Sequence, residues 1–329
     1  MKKALNSARN QGSSKKVLIT GVAGFVGSHL TKYLIAQNFK VVGFFHPLHS
    51  TENISSLKDK LELVACDILN YKQVEEEIAG IKPDYVFHLA AFSSPSQSLQ
   101  NPRQTLENNI FGQINILDSL VKIKSNAKIL IVGSADEYGN VDKKDLPVKE
   151  DHPLSPGSPY AVSKVAQDML GYQYFLNYGL NIVRVRPSNH IGPRQAPVFV
   201  VSAFASQIAV LEKQGGGIMK VGNLESERDF TDVGDMVKAY LLALDRGKIG
   251  EVYNIGSGKV IKIGKILEIM LSQVHVKITP QKDNGLFRPT EVFYSDPTKF
   301  KKQTGWQPTI PIKTTLFDTI NYEREKLKV

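Results

Sequence analysis

Between Val17 and Arg186, six short apolar runs, most of them rich in β-branched residues, alternate with longer amphipathic stretches. The runs are Val17 to Thr20, Val41 to Phe45, Leu61 to Cys66, Tyr85 to Leu89, Ile129 to Val132 and Ile182 to Val185. A strand that is apolar on both faces has to be covered on both, and a parallel sheet with helices on either side does this. Helical spacing occupies His29 to Gln37, Gln73 to Ala79, Thr105 to Val121 and Tyr160 to Tyr178, with Leu30, Tyr33 and Leu34 forming one stripe of the first. The expected fold is therefore α/β, with a doubly wound parallel sheet. Leu146 to Pro159 carries four prolines and Gly157, so it reads as an irregular loop, and Pro159 suits the first turn of the helix behind it.

After Arg186 the pattern loosens into a Pro/Gly-rich connection, a helical run from Phe199 to Lys213, the turn Gly215-Gly216-Gly217 and shorter mixed elements. This reads as a second, smaller lobe. Asp232 to Leu244 and Val252 to Ile255 read as a helix and a strand able to rejoin the sheet. The expected division is a flexible tail over 1–15, a doubly wound domain over 16–186 with 229–255 rejoining it, and a smaller lobe mainly over 187–329.

The tail has Lys2, Lys3, Arg9, Lys15 and Lys16 but no apolar core behind them, so no secretory signal is read. No apolar run approaches the roughly 18 residues of a membrane span. Cys66 is the single cysteine, which excludes an internal disulfide and a Cys-rich zinc site and fits a reducing, cytoplasmic setting. The net charge of +9 is scattered, without a basic-aromatic stripe, so a nucleic-acid partner is not expected; a positive cleft for a small phosphate-bearing ligand is.

Gly21, Gly24 and Gly27 stand at threefold spacing between the first strand and the first helix. The first permits a tight turn, the second lets backbone approach a pyrophosphate, the third lets the helix pack on the strand, and helix-start N–H groups face the anion. An acidic residue at the end of the second strand would take a ribose 2′-hydroxyl, but the chain reads Val42-Gly-Phe-Phe-His-Pro47. With no carboxylate to repel a 2′-phosphate and His46 as its possible neighbour, NADP(H) is favoured over NAD(H).

Tyr160 and Lys164 lie four apart, hence on one face of the helix that Pro159 opens. Tyr322 and Lys326 share that spacing on a charged C-terminal helix; only Tyr160 follows the fifth strand, where it can reach the cofactor edge of the sheet. A phenol of pKa about 10 working near pH 7 needs about 4 kcal/mol of help. One ammonium at ~4 Å in an effective dielectric near 20 supplies about that. Ser134, at the end of the fifth strand, can hold a substrate oxygen while Tyr160 exchanges its proton.

Gly21-x-x-Gly24-x-x-Gly27, Asp67-Ile68, His88-Leu-Ala-Ala91, Asn109 before Gly112, Ser134 before Tyr138-Gly139 and Tyr160-x-x-x-Lys164 together resemble the extended short-chain dehydrogenases/reductases that modify nucleotide sugars. The resemblance runs from about Lys16 to Lys326 and implies a Rossmann domain over 16–186 holding NAD(P) and a smaller C-terminal α/β substrate-binding domain, mainly 187–329, gripping a nucleotide diphosphate sugar. The cofactor would lie against Gly21, Gly24, Phe25, Val26, Gly27, His46, Asp67, Ile68, Leu89, Ala90, Ala91, Asn109, Tyr160 and Lys164. Arg186-Pro-Ser-Asn-His-Ile-Gly-Pro-Arg-Gln195, Val221 to Phe230 and Arg288-Pro-Thr-Glu-Val292 are similar to the GDP-4-keto-6-deoxymannose reductases and GDP-mannose 4,6-dehydratases. This finer resemblance implies a GDP-linked nucleotide diphosphate sugar held by Ser93, Asn189, Arg194, Arg228, Arg288 and Glu291, since arginine offers fixed donors to phosphate. It also implies a homodimer through Thr105 to Val121 and Tyr160 to Tyr178.

The dehydratases carry Glu as the base at sugar C5, where Ser134-Ala135-Asp136 places a shorter Asp. That substitution, the connection from Val198 and Arg228-Asp-Phe-Thr-Asp232 look reductase-like; Arg288-Pro-Thr-Glu and Asp296-Pro-Thr-Lys299 resemble the dehydratases as well. The expected catalytic set is Ser134, Asp136, Tyr160 and Lys164, reducing the C4 keto group of a GDP-4-keto-6-deoxyhexose. The alternative is a 4,6-dehydratase in which Asp136 or Glu137 manages the C5 proton. A non-catalytic dinucleotide sensor would be expected to lack Ser134, Tyr160 or Lys164.

Overall fold

The computed structural model describes residues 15–286 and 290–328. The tail read over 1–15 lies, but for Lys15, outside the described residues, and so does Arg288. Seven parallel strands form the central sheet: β1 (Lys16–Thr20), β2 (Lys40–Phe45), β3 (Glu62–Ala65), β4 (Tyr85–His88), β5 (Lys128–Val132), β6 (Asn181–Pro187) and β7 (Val252–Ile255). Their order is β7-β6-β5-β4-β1-β2-β3, so the direction of winding reverses between β1 and β4. The carboxyl edge beside such a reversal is where an open α/β sheet leaves a crevice.

Successive residues of each strand go to opposite faces. Val17, Ile19, Phe87 and Leu130 pack against α1 (Phe25–Ala36) and, later in the chain, the helix Val233–Arg246. Leu18, Val86, Ile129 and Ile131 pack on the other side against α2 (Tyr71–Ile81), α3 (Gly112–Lys122) and α4 (Pro159–Tyr178). Both faces are closed, which is why the strands read as unbroken apolar runs rather than alternating ones.

The helix expected over Thr105 to Val121 is interrupted. A short helix, Pro102–Leu106, passes through a π-type turn, Glu107–Phe111, before α3 begins. Gly112 closes on Ile68 so tightly that a Cβ there would stand 2.4 Å from Ile68 Cδ1. The widened turn swings Asn109 inward, which periodicity alone does not reveal.

Helices α5 (Val200–Lys213), α6 (Val233–Arg246), α7 (Ile263–Leu271) and α8 (Ile312–Leu327) complete the numbering. A separate apolar core joins α5, α7 and α8 through Phe204, Ile208, Ile266, Met270, Leu316 and Ile320. Beside it, Glu227–Arg228 is sandwiched between Ile261–Lys262 and Val292–Phe293, which brings Arg228 next to Glu291. Among the described residues, no helix is long and apolar enough to cross a membrane.

Candidate active site

The turn after β1 admits only glycine at two places. Gly21 has φ +70°, and a Cβ on it would stand 2.9 Å from the Ala90 backbone; on Gly27 it would stand 2.2 Å from Gly21 O. Thr20 Oγ1 accepts the N–H groups of Leu89 and Ala90, each at 3.1 Å, so the segment Leu89 to Ala91 is stitched beside the turn. Gly24, exposed, precedes α1, and the N–H groups of Phe25, Val26 and Gly27 belong to a first turn with no carbonyls behind them. A backbone cradle that any Cβ would fill, at the positive end of a helix, fits the pyrophosphate of a dinucleotide.

Around this turn the other cofactor candidates differ in standing. His46 follows β2, and its Nδ1 accepts the Leu48 N–H at 3.2 Å. Asp67 Oδ1 accepts the Leu69 N–H at 2.9 Å, shaping the loop after β3, and Ile68 is buried against Gly112. Asn109 is held from within the protein. Its Nδ2 donates to Phe92 O and Ser163 Oγ, at 3.0 and 2.9 Å, and its Oδ1 accepts from Phe92 N and Asn108 Nδ2, at 2.8 and 3.0 Å. The amide is fully buried and clamps the loop after β4 to α4.

Ser158 Oγ caps α4 by accepting the Ala161 N–H, and Pro159 fills the first helical position. One residue on, Tyr160 is buried with Ser134 near its hydroxyl. Lys164, also buried, donates from Nζ to Val132 O at 2.9 Å and stands 5.9 Å from the Tyr160 ring centre. Burial lowers Lys164 to about 8, against the pull of Glu137. Burial and the carboxylates of Asp136 and Glu137 hold the Tyr160 phenol well above its ordinary value, with only the Ser134 hydrogen bond opposing. Desolvation and the two nearby carboxyls thus act against the help expected from Lys164. His88, beneath them, is pushed down to about 3 by burial and by Lys164, so it is neutral.

The two acids after Ser134 part company. Asp136 opens to the cleft, although the protein around it still raises its carboxyl against the attraction of Arg228. Glu137 is fully buried, its Oε1 accepting the Ser134 N–H at 2.7 Å, so of the two only Asp136 can meet a sugar.

From the smaller lobe, Arg228 donates to the carbonyls of Glu227 and Glu291, at 3.1 and 3.0 Å, and pairs with the Glu291 carboxylate. Asn189 and Ser93 are exposed. Arg194 donates to Asn53 O at 2.9 Å, and Asn53 in turn donates to Ala23 O at 3.0 Å, which ties Arg194 to the glycine turn. Sequence reasoning passed over Arg184, Arg186 and Asp168, all buried and ion-paired behind the site. Their one signal was the pair of arginines alternating within the apolar run of β6.

A family model described as GDP-mannose 4,6 dehydratase matches residues 18–319. The chain is similar to the GDP-6-deoxy-D-mannose reductase of Pseudomonas aeruginosa, 33% identical over 92% of this chain and 95% of that one. It is similar in structure to RMD from Pseudomonas aeruginosa complexed with NADPH, with TM-score 0.81 and 30% identity over 95% and 99% of the two chains. UDP-glucose 4-epimerase from Thermotoga maritima, solved with UDP-glucose, gives TM-score 0.82 and 29% identity over 95% and 99%.

Proposed function

As a member of the GDP-mannose 4,6-dehydratase family, within the extended short-chain dehydrogenases/reductases, the protein is an enzyme of nucleotide-sugar chemistry, and we propose that it reduces the C4 keto group of a GDP-4-keto-6-deoxyhexose. The observation that carries this reading is the gathering of Ser134, Tyr160 and Lys164 between the end of β5 and the start of α4, with the shorter Asp136 where the dehydratases carry Glu. A phenol so placed can supply the proton that reduction of a ketone consumes.

In this scheme Ser134 donates a hydrogen bond to the C4 oxygen and Tyr160 gives that oxygen its proton as negative charge develops there. The Lys164 ammonium then stabilises the phenolate left behind. A nicotinamide cofactor, held by the glycine turn and Leu89 to Ala91, supplies hydride chemistry when bound. The absence of a carboxylate after β2 favours NADP(H) over NAD(H). Arg228, with Glu291 beside it, orients the GDP diphosphate or ribose, and Asn189 the sugar-phosphate region. The reaction belongs with cytoplasmic nucleotide sugars, and the exposed stripe Val162, Met169 and Leu176 on α4, with Phe111, is the surface through which two copies pair.

A 4,6-dehydratase is the second reading, supported by Asp136 standing open to the cleft. Incubation of the purified protein with GDP-mannose and no reductant separates the two. The reductase reading expects no reaction; accumulation of a 4-keto-6-deoxy sugar overturns it as the sole activity.

A further inference from the structure

Glu137 is fully buried directly behind Ser134, and the reductase scheme gives it no step. Its carboxylate is the hub of a cluster that joins the two elements bearing the catalytic side chains. On one side, Oε1 accepts the Ser134 N–H at 2.7 Å, closing the turn that follows β5. Gly133 leaves the room: a Cβ there would stand 2.1 Å from Glu137 Oε1. On the other side, Oε2 lies 3.1 Å from Arg186 Nε. Arg186 and Arg184, on one face of β6, both grip Asp168, Arg186 NH2 at 2.6 Å from Oδ2 and Arg184 NH1 at 2.6 Å from Oδ1. Asp168 lies one turn beyond Lys164 on α4, the helix that also carries Tyr160. A chain of hydrogen bonds and ion pairs thus runs from the Ser134 backbone to the Tyr160–Lys164 helix, the Glu137–Arg186 link being an ion pair because the Arg186 Nε–H is given to Asp168.

We propose that Glu137 is a positioning residue: by accepting the Ser134 N–H while anchored to Arg186 and Asp168, it sets the Ser134 hydroxyl against that of Tyr160. Burial and the neighbouring Asp168 carboxyl both push Glu137 well above the usual carboxylate range, with Arg186 and the Ser134 N–H opposing. The Ser134 contact survives in either protonation state, because Oε1 needs only a lone pair. The inference rests on the assignment of Ser134, Tyr160 and Lys164 to turnover.

The test measures NADPH-dependent turnover of GDP-4-keto-6-deoxymannose for Glu137→Leu, which removes the acceptor at similar size. The expected result is a fall in kcat of about tenfold or more, with KM and NADPH affinity little changed, because a misplaced hydroxyl harms the reacting geometry rather than binding. Glu137→Gln, which keeps an oxygen for the Ser134 N–H, should recover most of that loss. In a Ser134→Ala background the Leu substitution should cost nothing further, since its effect travels through Ser134. Should Glu137→Leu fail to fold, Glu137→Asp, too short to span Ser134 and Arg186 together, takes its place with the same expectations. Wild-type kcat in the folded variant, a Gln variant as slow as the Leu one, or a loss that multiplies with Ser134→Ala would each overturn the proposal. Tyr160→Phe serves as control. If it retains turnover, the site assignment fails; if it is inactive while the Glu137 variants are unimpaired, only the Glu137 inference fails.

Discussion

Tyr160 and Lys164 sit in a pocket that resists charge, and each responds in the direction opposite to its neighbour. Burial favours the neutral form of both, so the phenol keeps its proton and the ammonium is held only up to about 8. Tyr160→Phe should therefore abolish turnover while leaving NADPH affinity within about threefold, measured by fluorescence titration; a fully active variant would remove Tyr160 from the chemistry. The rate should decline as pH rises past about 8, where Lys164 loses the charge that supports the departing proton. Lys164→Arg, whose guanidinium stays charged, should move that decline upward, and a pH–rate profile unaltered by the change would contradict it. The same shift has a sign for stability. Lys164 holds its proton less firmly folded than unfolded, so its burial costs stability below about pH 8, and the cost fades as pH rises toward 10.5. At this scale the spacing of Tyr160 and Lys164 and the place of Ser134 led to three side chains that the fold brings into one pocket. The joining of Glu137, Arg186 and Asp168 into one cluster was not legible, because an ion pair formed by residues far apart in sequence leaves no spacing to read. The hydrogen bonds of the Asn109 amide to Phe92 and Ser163 were hidden for a related reason, since a motif position does not name its partners in the fold.

Among the elements, the turn from β1 into α1 carries the sharpest constraint. Gly27→Ala forces a methyl to 2.2 Å from Gly21 O, a backbone atom that cannot step aside without moving the turn. The expected outcome is loss of NADPH binding together with a destabilisation of about 1–3 kcal/mol, read by titration and thermal melting. The six strands between Val17 and Val185 were legible because two buried faces leave an apolar run with no alternation to confuse. The turn Glu107–Phe111 and the 3₁₀ segment Glu52–Lys60 were not, since neither follows the helical period that identifies a long helix. Helix α4 shows both kinds of information. Its inner face holds Tyr160, Lys164 and Asp168, while Val162, Met169 and Leu176 form an exposed apolar stripe at seven-residue intervals. Met169→Glu with Leu176→Glu should shift the protein from dimer to monomer in sedimentation without unfolding it; an unchanged sedimentation coefficient would show that copies pair elsewhere, or not at all.

For the whole molecule, the cores on the two faces of the sheet and the separate core of α5, α7 and α8 divide the work. The sheet and its helices hold the glycine turn, Ser134 and the Tyr160 helix, while the smaller lobe brings Arg228 and Glu291 to the same cleft, where Arg228 faces Asp136 across it. The reaction direction is the claim on which the rest depends, and the fate of the transferred hydrogen reads it most directly. NADPH bearing deuterium at the transferable position would be incubated with GDP-4-keto-6-deoxymannose, and the product examined by NMR and mass spectrometry. The account predicts deuterium at C4 of the sugar with one oxidised cofactor per sugar reduced; deuterium retained on the cofactor, or found at C6, would contradict it.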